Sequence, residues 1–174
     1  MDSLSKGAGL TPAGGSARWS KLFGMVMFCV LILMVLPLQA QDMSEQDLQN
    51  MYVSYLREEG YSPWVDDDGD VAFERSDLNF YIAVNEGDLE YFQLLFPGIY
   101  SIDTPEERQR AADAISVVNR RRKVAKIFMN TNETSVSVVA EVFLRNPGDF
   151  RGTFSRMFDN VLLAAQNFLE AMEE

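Results

Sequence analysis

The apolar residues of this chain change their spacing several times, and each change marks a new predicted element. In the stretch "QDMSEQDLQNMYVSYLREEG", residues 41–60, they recur at helical spacing, which predicts a helix with one apolar stripe. The stripe consists of Leu48, Met51, Tyr52, Tyr55 and Leu56. Ser44 suits the N-cap of this helix, and Gly60 suits its end.

From residue 71 the apolar residues alternate with polar ones, which predicts strands. The first is "VAFER" and the second is "LNFYIAV", in which Leu78, Phe80 and Ile82 share one face. A third apolar segment, residues 86–102, is predicted to be a strand that turns at Pro97-Gly98. Because short turns separate the three strands, they favour an antiparallel meander.

The second half predicts a helix, two more strands and a final helix. Pro105 suits the first turn of the second helix, capped by Asp103 or Thr104. The strands "VAKIFMN" and "SVSVVAEVFLR" flank the turn "TNET". Since Val139 and Phe143 lie on the second face of the later strand, that strand is expected inside the sheet. The order α-β-β-β-α-β-β-α predicts an α+β fold with an antiparallel sheet packed against helices.

The N-terminal 40 residues do not fit this domain. The uncharged run from residue 22 to 36 would span roughly 22 Å as a helix, short of the ~30 Å hydrocarbon core. With a basic flank and Ala40 after it, the run predicts a signal peptide, cleaved between Ala40 and Gln41. The alternative is an uncleaved membrane anchor. Residues 41–174 are then one domain, expected in the periplasm or secreted, or held at the inner membrane if cleavage fails.

Charge and composition exclude several classes of function. The chain has 15 basic and 26 acidic residues, and residues 41–174 have a net charge of −13. Such a surface repels nucleic acid, so no nucleic-acid partner is expected. The single cysteine, Cys29, lies in the apolar N-terminal run, which leaves no thiol chemistry for the domain.

Candidate chemistry is sparse. The chain has no histidine, and residues 41–174 have two lysines, Lys123 and Lys126, neither in a Ser-x-x-Lys pattern. The run Asp66–Asp70 lacks the ligand spacing of a calcium loop, so it is interpreted as a hairpin turn with Gly69 at a positive φ. We therefore expect no catalytic residue, no metal site and no cofactor.

Four features occur together in this chain: the Gly60-Tyr61 helix end, the Asp-Gly turn before Val71 and Phe73, Asn119 before the fourth strand, and the long C-terminal helix. In these features the chain resembles the YbjN family of bacterial proteins, described as sensory transduction regulators, over about residues 44–172. The resemblance implies a fold similar to that of type III secretion chaperones, which are usually dimers that hold extended segments of other proteins. The export signal departs from those chaperones, which are cytoplasmic.

These observations favour a non-enzymatic protein-binding module in the bacterial envelope, chaperone-like or regulatory. A homodimer is expected, and the identity of any other protein partner stays open. The residues predicted to contact a partner come from the last helix and the only basic run, namely Phe154, Phe158, Leu162, Arg120, Arg121 and Arg122. The basic run has a second interpretation, as charge that complements the helix dipole. The alternative function is a carrier of a small apolar ligand or lipid, held near Phe80, Ile82, Val138 and Val142.

Overall fold

The computed structural model describes residues 43–173. Three α-helices lie in this range, at α1 (Glu45–Glu58), α2 (Pro105–Arg121) and α3 (Phe150–Glu173). Ser44 caps α1 and Thr104 caps α2, each in a reciprocal capping box. A single 3₁₀ turn, Pro147–Asp149, leads into α3. No helix in the described range is long and apolar enough to cross a membrane.

Six antiparallel strands form one sheet in the order β1-β2-β3-β4-β6-β5. The strands are β1 (Trp64–Val65), β2 (Val71–Arg75), β3 (Leu78–Ile82), β4 (Tyr91–Ser101), β5 (Ala125–Met129) and β6 (Ser135–Phe143). The α+β class and the meander are confirmed, and β6 does lie inside the sheet, between β4 and β5. The predicted element order omitted β1, because two residues are too few to display a strand period.

The third predicted strand does not turn at Pro97-Gly98. β4 continues to Ser101, and its pairing with β6 shifts register between Phe96 and Tyr100. Gly98 has a φ of +66°, and its N–H donates to the hydroxyl of Ser137 over 3.3 Å. The dipeptide has therefore produced a bulge rather than a turn, since proline and glycine both suit irregular positions within a strand.

The acidic segment is the turn of the β1–β2 hairpin. Asp66 accepts hydrogen bonds from the N–H groups of Asp68 and Asp70 over 3.0 and 2.9 Å, and Gly69 has a φ of +91°. The Asp70 carboxylate accepts from the N–H of Val84 over 2.9 Å. Asp66 and Asp70 therefore stabilise the backbone of the turn and of the neighbouring strand end. This role explains why aspartates occur here without requiring a bound ligand.

All three helices lie on one face of the sheet, where the core forms. The rings of Phe80 and Phe158 meet edge to face at 4.8 Å, and those of Tyr52 and Phe150 at 4.8 Å. Phe73 lies 5.4 Å from Phe80 and is likewise inaccessible to solvent. Apolar residues on the sheet's inner face and the apolar stripe of α3 therefore bury one another.

Asn119 joins α2 to the exposed edge of the sheet. Its side-chain oxygen accepts from the N–H of Ile127, and its side-chain nitrogen donates to the C=O of the same residue, each over 2.9 Å. Ile127 lies in β5, which pairs on its other side with β6. One asparagine thus saturates backbone groups that an edge strand would otherwise expose.

Candidate protein-binding surfaces

The structure places the predicted contact residues of α3 in two different environments. Phe154 and Phe158 are each only 3 % exposed, stacked on one another beneath the sheet. The prediction that they contact a partner is therefore corrected, because a side chain in the core of the folded domain presents no surface. Leu162 is half-buried and lines an open groove beside α3.

The basic run lies at the C-terminal end of α2, where it complements the helix dipole. The guanidinium of Arg120 donates to the C=O of Ser116 over 3.1 Å. Arg121 and Arg122 instead line a depression of about 330 Å³, with Glu170 of α3 on its other side. The six predicted contact residues are therefore not brought together in one site. Ala40 and Gln41, the predicted cleavage site, lie outside the described residues.

The face of the sheet away from the helices carries a row of six aligned residues, five of them apolar or aromatic. Cross-strand pairing aligns one residue from each strand, running Trp64, Ala72, Tyr81, Leu95, Val139 and Lys126. Trp64 is 42 % exposed, whereas Tyr81 and Leu95 are half-buried by their neighbours. Lys126, at the β5 end, is the one charged member of the row. We call this side of the sheet the outer face.

Two phenylalanines extend the apolar surface of the outer face. Phe143, at the end of β6, is 72 % exposed, and Phe128 of β5 is 40 % exposed. Tyr91 packs beside Phe143 with ring centroids 5.7 Å apart. An apolar surface of this kind, in a domain whose net charge is strongly negative, is typical of a protein-binding site.

A small hydrogen-bonded cluster lies within the outer face. The hydroxyl of Tyr91 donates to the carboxylate of Glu141, which also accepts from the side-chain nitrogen of Gln93 over 2.9 Å. Burial, with the bond to Glu141, raises the pKa of Tyr91 to about 12. Tyr91 is therefore a protonated donor near neutral pH. Glu141 is itself exposed, so one negative charge, bonded to Tyr91 and Gln93, lies between Val139 and Phe143 on this face.

Three of the four positions proposed for an apolar ligand are filled by core packing, whereas Val142 is only half-buried. Phe80, Ile82 and Val138 are inaccessible to solvent, and Phe80 touches the aromatic rings of α3 directly. Within residues 43–173, no three Asp, Glu, His or Cys side chains converge as metal ligands.

The outer face was not predicted as a site, although apolar residues on the second face of β6 were visible in the sequence. Val139 and Phe143 were correctly placed on the second face of their strand, and part of that face was expected to be covered. Val139 is indeed buried, whereas Phe143 is exposed. Periodicity tells which residues share a face, but it does not tell whether another element lies on that face.

Known proteins similar to this chain support the fold described above. The family model YbjN, described as "Putative bacterial sensory transduction regulator", matches residues 53–174. No curated protein matches the chain.

Two solved structures are similar. An uncharacterised protein from Methanothermobacter thermautotrophicus has a TM-score of 0.53 at 17% identity, covering 72% of this chain and 96% of that one. YbjN of E. coli, described as "a putative transcription regulator", has a TM-score of 0.49 at 14% identity, covering 70% of this chain and 89% of that one. At these identities the first structure supports the fold alone. Because the family model covers more than half of the sequence, this chain belongs to the YbjN family.

Proposed function

We propose that this domain is a non-enzymatic protein-binding module of the bacterial envelope, and that its partner docks on the outer face of the sheet. The observation that carries the proposal is that three aromatic side chains on this face, Trp64, Phe128 and Phe143, are exposed. Aromatic side chains with few charges among them are the usual centre of a protein interface. The family description, a regulator, is consistent with a function exerted by binding.

Location in the envelope rests on the sequence. Residues 22–36 are apolar, a basic segment precedes them, and Ala40 follows at the spacing of a signal peptidase site. A chaperone-like or regulatory module exported by this signal meets its partner outside the cytoplasm. Transcriptional control by direct DNA contact is disfavoured, since the net charge of −13 opposes phosphate binding.

Site-specific photo-crosslinking in cells tests the proposal. A crosslinking phenylalanine analogue replaces Phe143 in one full-length variant and Phe128 in another. The control replaces Leu163, which is 42 % exposed on α3 and lies on the helical side of the domain. Products are digested and sequenced by mass spectrometry, together with the N-terminus of the bait.

The proposal predicts that both outer-face positions crosslink to one protein partner, that Leu163 does not, and that the bait begins at Gln41. A bait-to-bait product at the outer-face positions identifies the partner as a second copy, as the sequence analysis expects. Equal products from all three positions, or none from the outer face, would refute docking on this face. A bait retaining residues 1–40 in the cytoplasmic fraction would refute export.

A further inference from the structure

We propose that the groove between α3 and the β4 bulge binds a basic amphipathic segment of a protein partner, at a second site separate from the outer face. The groove measures about 440 Å³. One wall is the C-terminal half of α3, and the other is the β4 bulge with the start of β3. The inference does not depend on the proposed function, because none of the row residues and neither Phe128 nor Phe143 lines the groove.

Most of the residues that line the groove are apolar, and its polar side chains, Gln166, Glu170 and Glu173, come from α3. Leu162, Ala165 and Leu169 line it from α3, spaced so that they share one face of the helix. Leu78 and Ile99 line it from the sheet side. Leu78 is 44 % exposed and Leu169 is 41 % exposed, so the two leucines present apolar surface to solvent on opposite walls.

The bulge creates the groove. Between Phe96 and Tyr100 the β4 backbone leaves its regular register with β6. Gly98 has no neighbouring atom within 4 Å of where a Cβ would lie, so the strand is open to solvent there. A regular strand would keep its pairing and its side-chain alternation through this region. The Pro97-Gly98 dipeptide, a turn signal in the sequence, therefore shapes one wall of a surface groove.

Charge at one end of the groove identifies the kind of occupant. Glu170 and Glu173 are the charged residues that line the groove, and both are acidic. They lie at the C-terminal end of α3, where the helix dipole is itself negative. Helices commonly place basic residues in this position, as α2 does with Arg120 and Arg121, yet the last turn of α3 has none. Glu170 also faces Arg121 and Arg122 across the neighbouring depression and accepts from the side-chain nitrogen of Gln166 over 2.9 Å. Glu173 forms no ion pair with another residue of the range 43–173, so it is the carboxylate most available to cations from another molecule.

A peptide segment fits this groove better than a small apolar molecule does. Sites for small ligands enclose most of the ligand surface, whereas Leu78 and Leu169 remain largely exposed on the walls here. An amphipathic segment buries only its apolar face in a groove, and its polar face stays in water. Leucine-like side chains would lie against Leu162 and Leu169, and lysine or arginine side chains would reach Glu170 and Glu173.

Binding of two synthetic peptides to the full-length protein tests the inference. One peptide repeats Leu and Lys at helical spacing, and the other has Glu in place of every Lys. Fluorescence anisotropy at low salt should detect the Leu/Lys peptide and not the Leu/Glu peptide. Leu169→Ser should weaken the binding about tenfold through lost apolar contact. Glu170→Gln with Glu173→Gln should weaken it about 3- to 10-fold, an effect that salt removes.

The matched control is Leu163→Ser, which alters an equally exposed leucine of the same helix that does not line the groove. Circular dichroism of each variant confirms that the fold is retained. Equal binding to Leu169→Ser and Leu163→Ser would overturn the inference, since it would mean attraction to the acidic surface in general. Binding of the Leu/Glu peptide with equal affinity would overturn the charge argument. Phe143→Asp should leave peptide binding unchanged, so a failure here is distinguishable from a failure at the outer face.

Crosslinking in cells identifies the natural occupant. The photo-crosslinking analogue is placed at Leu169 and, as the control, at Leu163, and the attached peptide is sequenced. The inference predicts a basic amphipathic segment of a partner protein at Leu169 alone. A lipid adduct, a peptide from a second copy of this chain, or an acidic segment at Leu169 would each overturn it.

Discussion

Asn119→Ala should destabilise the domain, because it removes the hydrogen bonds that Asn119 makes to the edge strand β5. The substitution removes both 2.9 Å hydrogen bonds to Ile127 and leaves a backbone N–H and C=O without a protein partner. Each unsatisfied buried group costs about 1–3 kcal/mol, and water at this half-buried site reduces that cost. We therefore expect a loss of about 2–4 kcal/mol from a total stability of about 5–15 kcal/mol.

Urea unfolding followed by circular dichroism measures this loss. With an m-value of about 2 kcal/mol/M, the midpoint should fall by about 1–2 M at unchanged slope. Asn132→Ala, in the exposed turn between β5 and β6, is the matched control and should alter the free energy of unfolding by less than about 0.5 kcal/mol.

The opened edge should also promote self-association, visible as turbidity on storage of Asn119→Ala and not of the control. If Asn119→Ala and Asn132→Ala had the same urea midpoint of unfolding, the stabilising role given to the Asn119 hydrogen bonds with β5 would be refuted.

Three further predictions concern turns and titrating groups. Ser76 and Asp77 both have positive φ, 55° and 61°, in the two-residue turn between β2 and β3; Ser76→Asn with Asp77→Gly should therefore raise stability by about 1 kcal/mol, seen as a melting temperature higher by about 4 °C. Burial raises the pKa of Asp70 above its ordinary value of 3.8, so its charge opposes folding above that pH and protonation relieves the cost as pH falls. Asp70→Asn, which keeps an acceptor for Val84, should match or exceed wild-type stability at pH 7, and a clear loss there would contradict this. Hydrogen bonds from the backbone at Asp103 and Thr104 lower the pKa of Glu107 below 4.5, so its stabilising contribution is present above pH 4.5 and is lost as pH falls through the lowered folded value; Glu107→Gln should flatten the acid limb of a stability–pH curve.

The sequence predicted the elements of this fold well because their signals are local. Ser44 and Thr104 cap their helices as their side chains allow, and the Asp-Gly turn forms where Gly69 permits a positive φ. The errors arose where tertiary context decides. Pro97-Gly98 is compatible with a turn or a bulge, and the long pairing of β4 with β6 selects the bulge.

The candidate surfaces were predicted less well, for a related reason. A wide apolar face on α3 indicates burial but does not name what buries it. The sheet covers Phe154 and Phe158, whereas Leu162 and Leu169 at the side of the stripe are left along the groove. Phe143 is exposed because no described helix lies on its side of the sheet. Which face of the sheet the helices cover depends on the whole chain, and the spacing of apolar residues within one strand does not encode it.

Partner recovery from the envelope fraction tests the central claim most directly. Full-length wild type, Phe143→Asp and Leu163→Asp are each expressed as bait, crosslinked in cells and quantified by mass spectrometry. Phe143 and Leu163 are both exposed, so neither substitution should unfold the domain. The account predicts that Phe143→Asp lowers recovery of the partner about tenfold or more, as loss of an interface anchor does, while Leu163→Asp recovers it as wild type does. Undiminished recovery with Phe143→Asp would contradict the claim that the outer face of the sheet is the binding surface.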